Sequence, residues 1–261
     1  MKVRTLMYHD VVADGVWDSS GFPGAPAGVY KLARGEFERH LAAIRMAVSA
    51  QRVGVVTHRL HDSQEAQVLL TFDDGGASAY DPVAGLLEHH GWRGHFFVAT
   101  GWIGTPGFLD AAQIRELRAR GHVIGSHSCS HPARMAGCTR HELDREWRNS
   151  IRVLEDILGE AVTVASVPGG SYSARVGESA AEAGIQVLFN SEPTATVRSA
   201  GPCLVLGRYV VRRGMTPEIS AGLAAGHTLL CVRQAALWKL KKAVKAVSGP
   251  AYSKISNRLL R

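Results

Sequence analysis

The run Val68-Leu69-Leu70-Thr71-Phe72-Asp73-Asp74-Gly75 constrains this chain more than any other stretch. A short, mainly apolar strand pattern stops abruptly at two adjacent carboxylates and a glycine. Two like charges at a strand's end are costly to hold unless something offsets them, and a metal cation is the simplest partner. About fifty residues on, Gly125-Ser126-His127-Ser128-Cys129-Ser130-His131 brings two imidazoles four residues apart. One Asp with two His is a ligand set that leaves coordination positions open for water and substrate. The combination points to metal-assisted hydrolysis.

Strand and helix patterns alternate on either side of these motifs. Strands are expected over 4–8, 68–72, 95–99, 123–125, 162–167, 185–189 and 204–211. Phe37, Leu41, Ile44 and Val48 recur at helical spacing, and further helices are expected over 80–90, 111–120 and 174–183. Thr139-Arg140-His141-Glu142 has capping-box spacing and opens a long helix with Leu143, Ile151, Leu154 and Leu158 on its apolar side. The Gly-, Pro- and Ser-rich stretch 15–31 reads as a loop. Repeated βα units imply an α/β fold with a parallel sheet or barrel, whose chemistry gathers at the carboxyl ends of the strands. Asp73, Asp74, His127, Pro168-Gly169 and His9 all follow strand patterns in this way.

At 261 residues the chain is long enough for one full-sized core. Its net charge of +7 is unevenly placed: Trp238-Lys239-Leu240-Lys241-Lys242-Ala243-Val244-Lys245 is basic and amphipathic, and Lys254, Arg258 and Arg261 extend it. We therefore divide the chain into a catalytic part, 1–235, and a basic tail, 236–261. The tail fits two descriptions: a solvated helix packing Trp238 and Leu240 on the core, or a helix lying on an anionic membrane surface or gripping a phosphate-bearing substrate. No recognition motif argues for nucleic acid. No stretch approaches the ~18 apolar residues of a membrane span, and the first ten residues lack the apolar core of an export signal. The chain reads as cytoplasmic, with the tail as a route to the inner membrane surface. Cys129, Cys138, Cys203 and Cys231 form no CxxC pair, so reduced thiols are expected, with Cys129 open as a spare ligand between the histidines.

Thr71-Phe72-Asp73-Asp74-Gly75 and His127-Ser128-Cys129-Ser130-His131 together resemble the first two motifs of the polysaccharide deacetylases, the carbohydrate esterases with a NodB homology domain. The resemblance implies an irregular (β/α) barrel of about seven parallel strands. It implies a divalent metal held by Asp74, His127 and His131, with Asp73 as general base. Zinc is the default, and Co, Ni or Mn also suit such ligands. The substrate it implies is an N-acetylated sugar or glycan precursor.

Two motifs depart from the common family pattern. The third usually carries Arg-x-Pro-Tyr, whereas this chain has Val167-Pro168-Gly169-Gly170 with no Arg. The turn Pro168, Gly169 and Gly170, through its backbone N–H groups, is then the candidate for holding an oxyanion and contacting substrate, and Arg208 the candidate replacement cation beside Asp73. The last motif, Leu-x-His, has only a poor counterpart at His227. Leu6-Met7-Tyr8-His9 is similar instead to a permuted subgroup in which the acid histidine precedes the Asp-Asp motif, which makes His9 the expected general acid. An O-acetyl esterase or non-sugar amide hydrolase using the same site, and a glycan-binding pseudoenzyme, stay open on these residues.

Overall fold

The computed structural model describes residues 2–58 and 66–248. Along the chain run β1 (Val3–Tyr8), β2 (Val11–Val12), α1 (Ala25–Gly28), β3 (Leu32–Ala33), α2 (Arg34–Ala47), β4 (Val53–Gly54), β5 (Gln67–Phe72), α3 (Gly85–His89), β6 (His95–Val98), α4 (Ala111–Ala119), β7 (Val123–Ser126) and α5 (Arg140–Leu158). There follow β8 (Val164–Ser166), α6 (Ala174–Glu182), β9 (Val187–Phe189), β10 (Arg198–Ala200), β11 (Cys203–Leu206), β12 (Tyr209–Val210), α7 (Pro217–Ala225) and α8 (Thr228–Ser248).

The apolar strands lie parallel in the order β9-β8-β7-β6-β5-β1. The continuous run 203–210 touches both ends of that path. Its first half, β11, pairs parallel with β9, and its second, β12, pairs parallel with β1. The sheet is thereby curled into an irregular (β/α) barrel, seven strand positions round. The single strand expected over 204–211 is broken at Gly207-Arg208 because one straight strand cannot serve both neighbours. A Cβ at Gly207 would come 2.2 Å from the Glu192 carbonyl oxygen, so the bend needs glycine.

Side-chain alternation sorts the core into two layers. Val68, Leu70 and Phe72 of β5 belong to the large cluster under the helices, with Phe37, Leu41, Ile114, Trp147 and Leu154. Leu69 faces inward with Phe97, Val164, Val187, Phe189 and Leu206. Thr71 and Asp73 continue the inward face, which places Asp73 at the top of the barrel lumen.

The capping box at Thr139 and Glu142 forms as expected, and α5 ends at left-handed Gly159. The expected helix 80–90 starts regularly only at Gly85, because Asp81 is extended (φ −142°, ψ 119°), the conformation that a following proline imposes. The 15–31 stretch contains the short α1. Helix α8 runs through positions 235 and 236 and bonds to β12 through Gln234 Nε2 to the Val210 carbonyl. Leu240 is 61% exposed rather than packed on the core, and Leu229, Val232 and Leu237 are exposed with it. Lys254, Arg258 and Arg261 lie outside the described residues. Among the described residues no helix is long and apolar enough to cross a membrane.

Candidate active site

Strand β5 delivers Asp73 and Asp74 in sequence, yet the two carboxylates meet different surroundings. Asp74 has φ 77°, a left-handed conformation uncommon outside glycine, and Ser128 (φ 64°) and His131 (φ 57°) share it. Such backbone persists where the surrounding structure over-determines it. Here it turns Asp74 and the loop after β7 toward each other. Asp74 Oδ1 lies 3.4 Å from His127 Nε2 and 3.4 Å from His131 Nε2. The ligand atoms of the three residues all fall within 4.8 Å of one another.

This trio fits a divalent cation. At 3.4 Å the contacts are longer than hydrogen bonds. That spacing matches the edge of a tetrahedron built from bonds of about 2.1 Å, the usual length for nitrogen and carboxylate ligands on zinc. His127 Nδ1 faces the Ser166 carbonyl at 3.1 Å, and a proton donated there leaves the Nε2 lone pair toward Asp74. Burial works against charge on Asp74, but the two histidines outweigh it and hold the carboxyl far below its ordinary range. Burial also opposes charge on His131, and Asp74 outweighs it and raises that imidazole.

Asp73 is held by a different partner. Arg208, fully buried, donates Nη1–H to Asp73 Oδ1 at 2.6 Å and Nη2–H to Oδ2 at 2.8 Å. Its Nε–H donates to the Asn190 carbonyl at 3.0 Å. Burial alone would raise the Asp73 carboxyl; Arg208 overrides it and keeps the group ionised below the usual carboxylate range. Ser166 Oγ donates to Asp73 Oδ1 at 3.1 Å and also contacts His127 Nδ1, linking the two halves of the site.

His9 follows β1, at the same end of the barrel as Asp73 and Asp74. Its ring stacks on Tyr30 at 4.7 Å, with the Arg212 guanidinium 5.4 Å from the same Tyr30 ring. His9 Nδ1 is buried without a hydrogen-bond partner. Pro168, Gly169 and Gly170 form a short turn after β8. Pro168 has no N–H and the Gly170 N–H bonds the Val167 carbonyl, so the Gly169 amide is the donor this turn can offer. His227 is exposed beside Gly226, which abuts Arg4 at the opposite end of β1 from His9. Cys129 is free and outside the convergent trio.

Three supporting residues escaped the sequence reading. Ser166 was visible only as a small residue before a Pro-Gly turn. Glu146 accepts from the Cys129 and Ser130 amides from a position on α5, with no local signal. Asp10, adjacent to His9, accepts from Ser20 and Ser78 and ties the loop after β2 to the turn beyond Asp74.

Comparison with known proteins agrees with this architecture. Residues 61–188 match the polysaccharide deacetylase family model. The Bacillus subtilis protein YxkH is 26% identical over 219 residues, 82% of this chain and 73% of that protein. A chitooligosaccharide deacetylase of Sinorhizobium fredii is 32% identical over 123 residues, 46% of this chain and 55% of the relative. Among solved structures, the Streptococcus pyogenes deacetylase PplD, determined in complex with acetate, superposes with a TM-score of 0.65 at 20% identity. That superposition covers 84% of this chain and 96% of PplD, and it speaks for the fold. With the matched segment carrying both the Asp73-Asp74 pair and the His127/His131 loop, this chain belongs to the polysaccharide deacetylase family.

Proposed function

We propose that this protein is a metal-dependent hydrolase that removes the acetyl group from an N-acetylated sugar of a glycan or glycan precursor. The observation that carries the reading is the convergence of Asp74, His127 and His131 beside an Asp73 that lies outside the trio and is clamped by Arg208. The relatives named as deacetylases support it.

A divalent cation, for which zinc is our assignment, would be held by Asp74, His127 and His131 and would supply a Lewis acid for the acetyl carbonyl. Asp73 takes the proton of the attacking water, and Arg208 keeps its carboxylate ionised and oriented for that task. The Gly169 amide donates to the carbonyl oxygen as charge builds on it. His9 gives a proton to the leaving amine nitrogen, its ring plane set by Tyr30.

Acetate release by zinc-loaded protein from N-acetylglucosamine oligomers, with and without chelator, tests the reading. Chelator-sensitive release is expected. Stoichiometric zinc without acetate release overturns it, and a parallel panel of O-acetylated sugars then identifies an esterase. Asp73→Asn should abolish turnover and still bind one zinc.

As part of the same proposal, the protein works in the cytoplasm on a precursor met at an anionic membrane surface. Support comes from exposed Leu229, Val232, Leu237 and Leu240 on the helix that also carries Lys239 and Lys242. Sedimentation with anionic but not neutral vesicles is the expected result.

A further inference from the structure

Two arginines near His9 have no part in that chemistry. Arg212 and Arg213 follow β12, which runs parallel to β1, so they leave the barrel at the end where His9 does. The Arg212 guanidinium lies 5.4 Å from the centre of the Tyr30 ring, and His9 stacks on that same ring at 4.7 Å. Arg213 packs on the Trp17 ring at 4.2 Å. Among the described residues neither guanidinium has an ion-pair or hydrogen-bond partner. Arg208, just upstream, shows the contrast, with its whole fork spent on Asp73 and the Asn190 carbonyl.

The backbone holds the pair in place. Met215 N–H donates to the Arg212 carbonyl at 3.1 Å and closes a turn with Arg213 at its tip. Gly214 takes φ 78° there, which glycine adopts at no steric cost. Arg213 N–H donates to the Val29 carbonyl at 3.0 Å, which ties the turn to the segment carrying Tyr30. A cleft of about 470 Å³ opens beside the turn, lined by Trp17, Arg39 and Arg213 together with Asp14 and Glu36. That volume suits a small-molecule group. Glu36 Oε1 is engaged by the Gly214 N–H at 2.7 Å. Arg39, like the other two, has no ion-pair partner among the described residues. Counting Arg212, three arginines stand against two carboxylates on this side of His9.

We infer that Arg212 and Arg213 bind a phosphoryl group carried by the substrate sugar, so that the enzyme prefers a phosphorylated N-acetyl sugar to an uncharged one. The chemistry of the pair selects the ligand. A carboxylate has two oxygens, which one guanidinium fork satisfies. A phosphoryl group presents three and has room for a second fork. Stacking on Tyr30 and Trp17 orders both side chains in advance, which lowers the cost of binding. The Tyr30 ring stands between Arg212 and His9, so the anion is a substituent away from the acetamide on which His9 acts. That the phosphoryl group rides on an N-acetyl sugar rests on the deacetylase reading above.

The test compares N-acetylglucosamine 1-phosphate with the uncharged methyl glycoside of N-acetylglucosamine, both on zinc-loaded protein. Wild type should show the higher kcat/KM on the phosphate. In the double variant Arg212→Gln, Arg213→Gln the ratio of the two kcat/KM values should fall about 10-fold, the size of a lost charge-assisted hydrogen bond. Equal losses on both substrates would mean a merely structural role and overturn the inference, as would a wild type without preference. A still higher kcat/KM on UDP-N-acetylglucosamine, lost in the same variant, supports the pair and identifies a diphosphate as the group bound. Calorimetric titration of the full chain with N-acetylglucosamine 1-phosphate reads the site without chemistry. Binding that weakens about 10-fold in the double variant supports it. Binding indifferent to the substitutions, or no saturable binding by wild type, refutes it. Absence of acetate release from any of these sugars, with arginine-dependent binding of the phosphate, would instead refute the deacetylase reading alone.

Discussion

Replacing Arg208 by Lys isolates the contribution of the guanidinium fork from that of its charge. The ammonium of Lys is a point charge with no bidentate geometry. It can keep one of the two bonds to Asp73, now at 2.6 and 2.8 Å, and it abandons the Asn190 carbonyl at 3.0 Å. Losing one charge-assisted bond costs about 1.5–3 kcal/mol, and leaving a buried carbonyl unpaired about 1–3 kcal/mol. The combined loss, about 3–5 kcal/mol, matches what breaking a buried ion pair commonly does. Urea denaturation at fixed zinc concentration should show a loss of that size. The carboxylate it frees to rotate should lower kcat/KM about 100-fold, as misplacement of a catalytic group by about 1 Å does. A lysine variant within 1 kcal/mol of wild type in stability and about 3-fold in kcat/KM would refute the clamp. Lost stability with full activity would leave Arg208 a structural ion pair only.

Three further outcomes are expected. Ser166→Ala removes the hydroxyl between Asp73 and His127 and should weaken zinc binding about 10-fold in competition with a chromophoric chelator; an unchanged Kd would count against it. His9→Ala should lower kcat about 100-fold or more with zinc stoichiometry retained, and a loss under about 3-fold would remove His9 as the acid. Burial pushes the His95 imidazole down to about 4, so the folded state refuses a proton that the unfolded chain accepts at about 6.5. Stability is then full above pH 6.5 and is lost as pH falls toward 4, by roughly 3 kcal/mol. Urea melts across that window measure the loss, and an NMR titration of the His95 ring with a midpoint above about 6 would refute its cause.

The parts of the site written contiguously were legible. The strand running into Asp73-Asp74-Gly75 and the His127/His131 pair declare themselves because neighbouring residues bring them together. The capping box at Thr139 reads for the same reason. What the sequence showed only indirectly, or not at all, depends on distance. Arg208 stands 135 residues from the carboxylate it holds, and only the missing Arg of the third motif, not anything local, singled it out from a surface arginine. Glu146 supports the histidine loop from a helix whose sequence shows only amphipathic spacing. The 204–211 pattern looks like one strand, since hydropathy reports burial and not which neighbour each half pairs with. For Leu240, hydropathy left core packing and surface attachment both open, and among the described residues it is exposed.

The closing run 203–210 has a consequence for the newborn chain. Asp73, Asp74, His127 and His131 leave the ribosome before Arg208 has been made. The 135 residues between Asp73 and Arg208 take roughly 7–27 s to add at about 5–20 residues per second. For that interval the barrel lacks its final stave, and Asp73 has no guanidinium to answer it. The same translation step that seals the barrel also arms the base, so all three ligand residues are in the chain before the base has its partner.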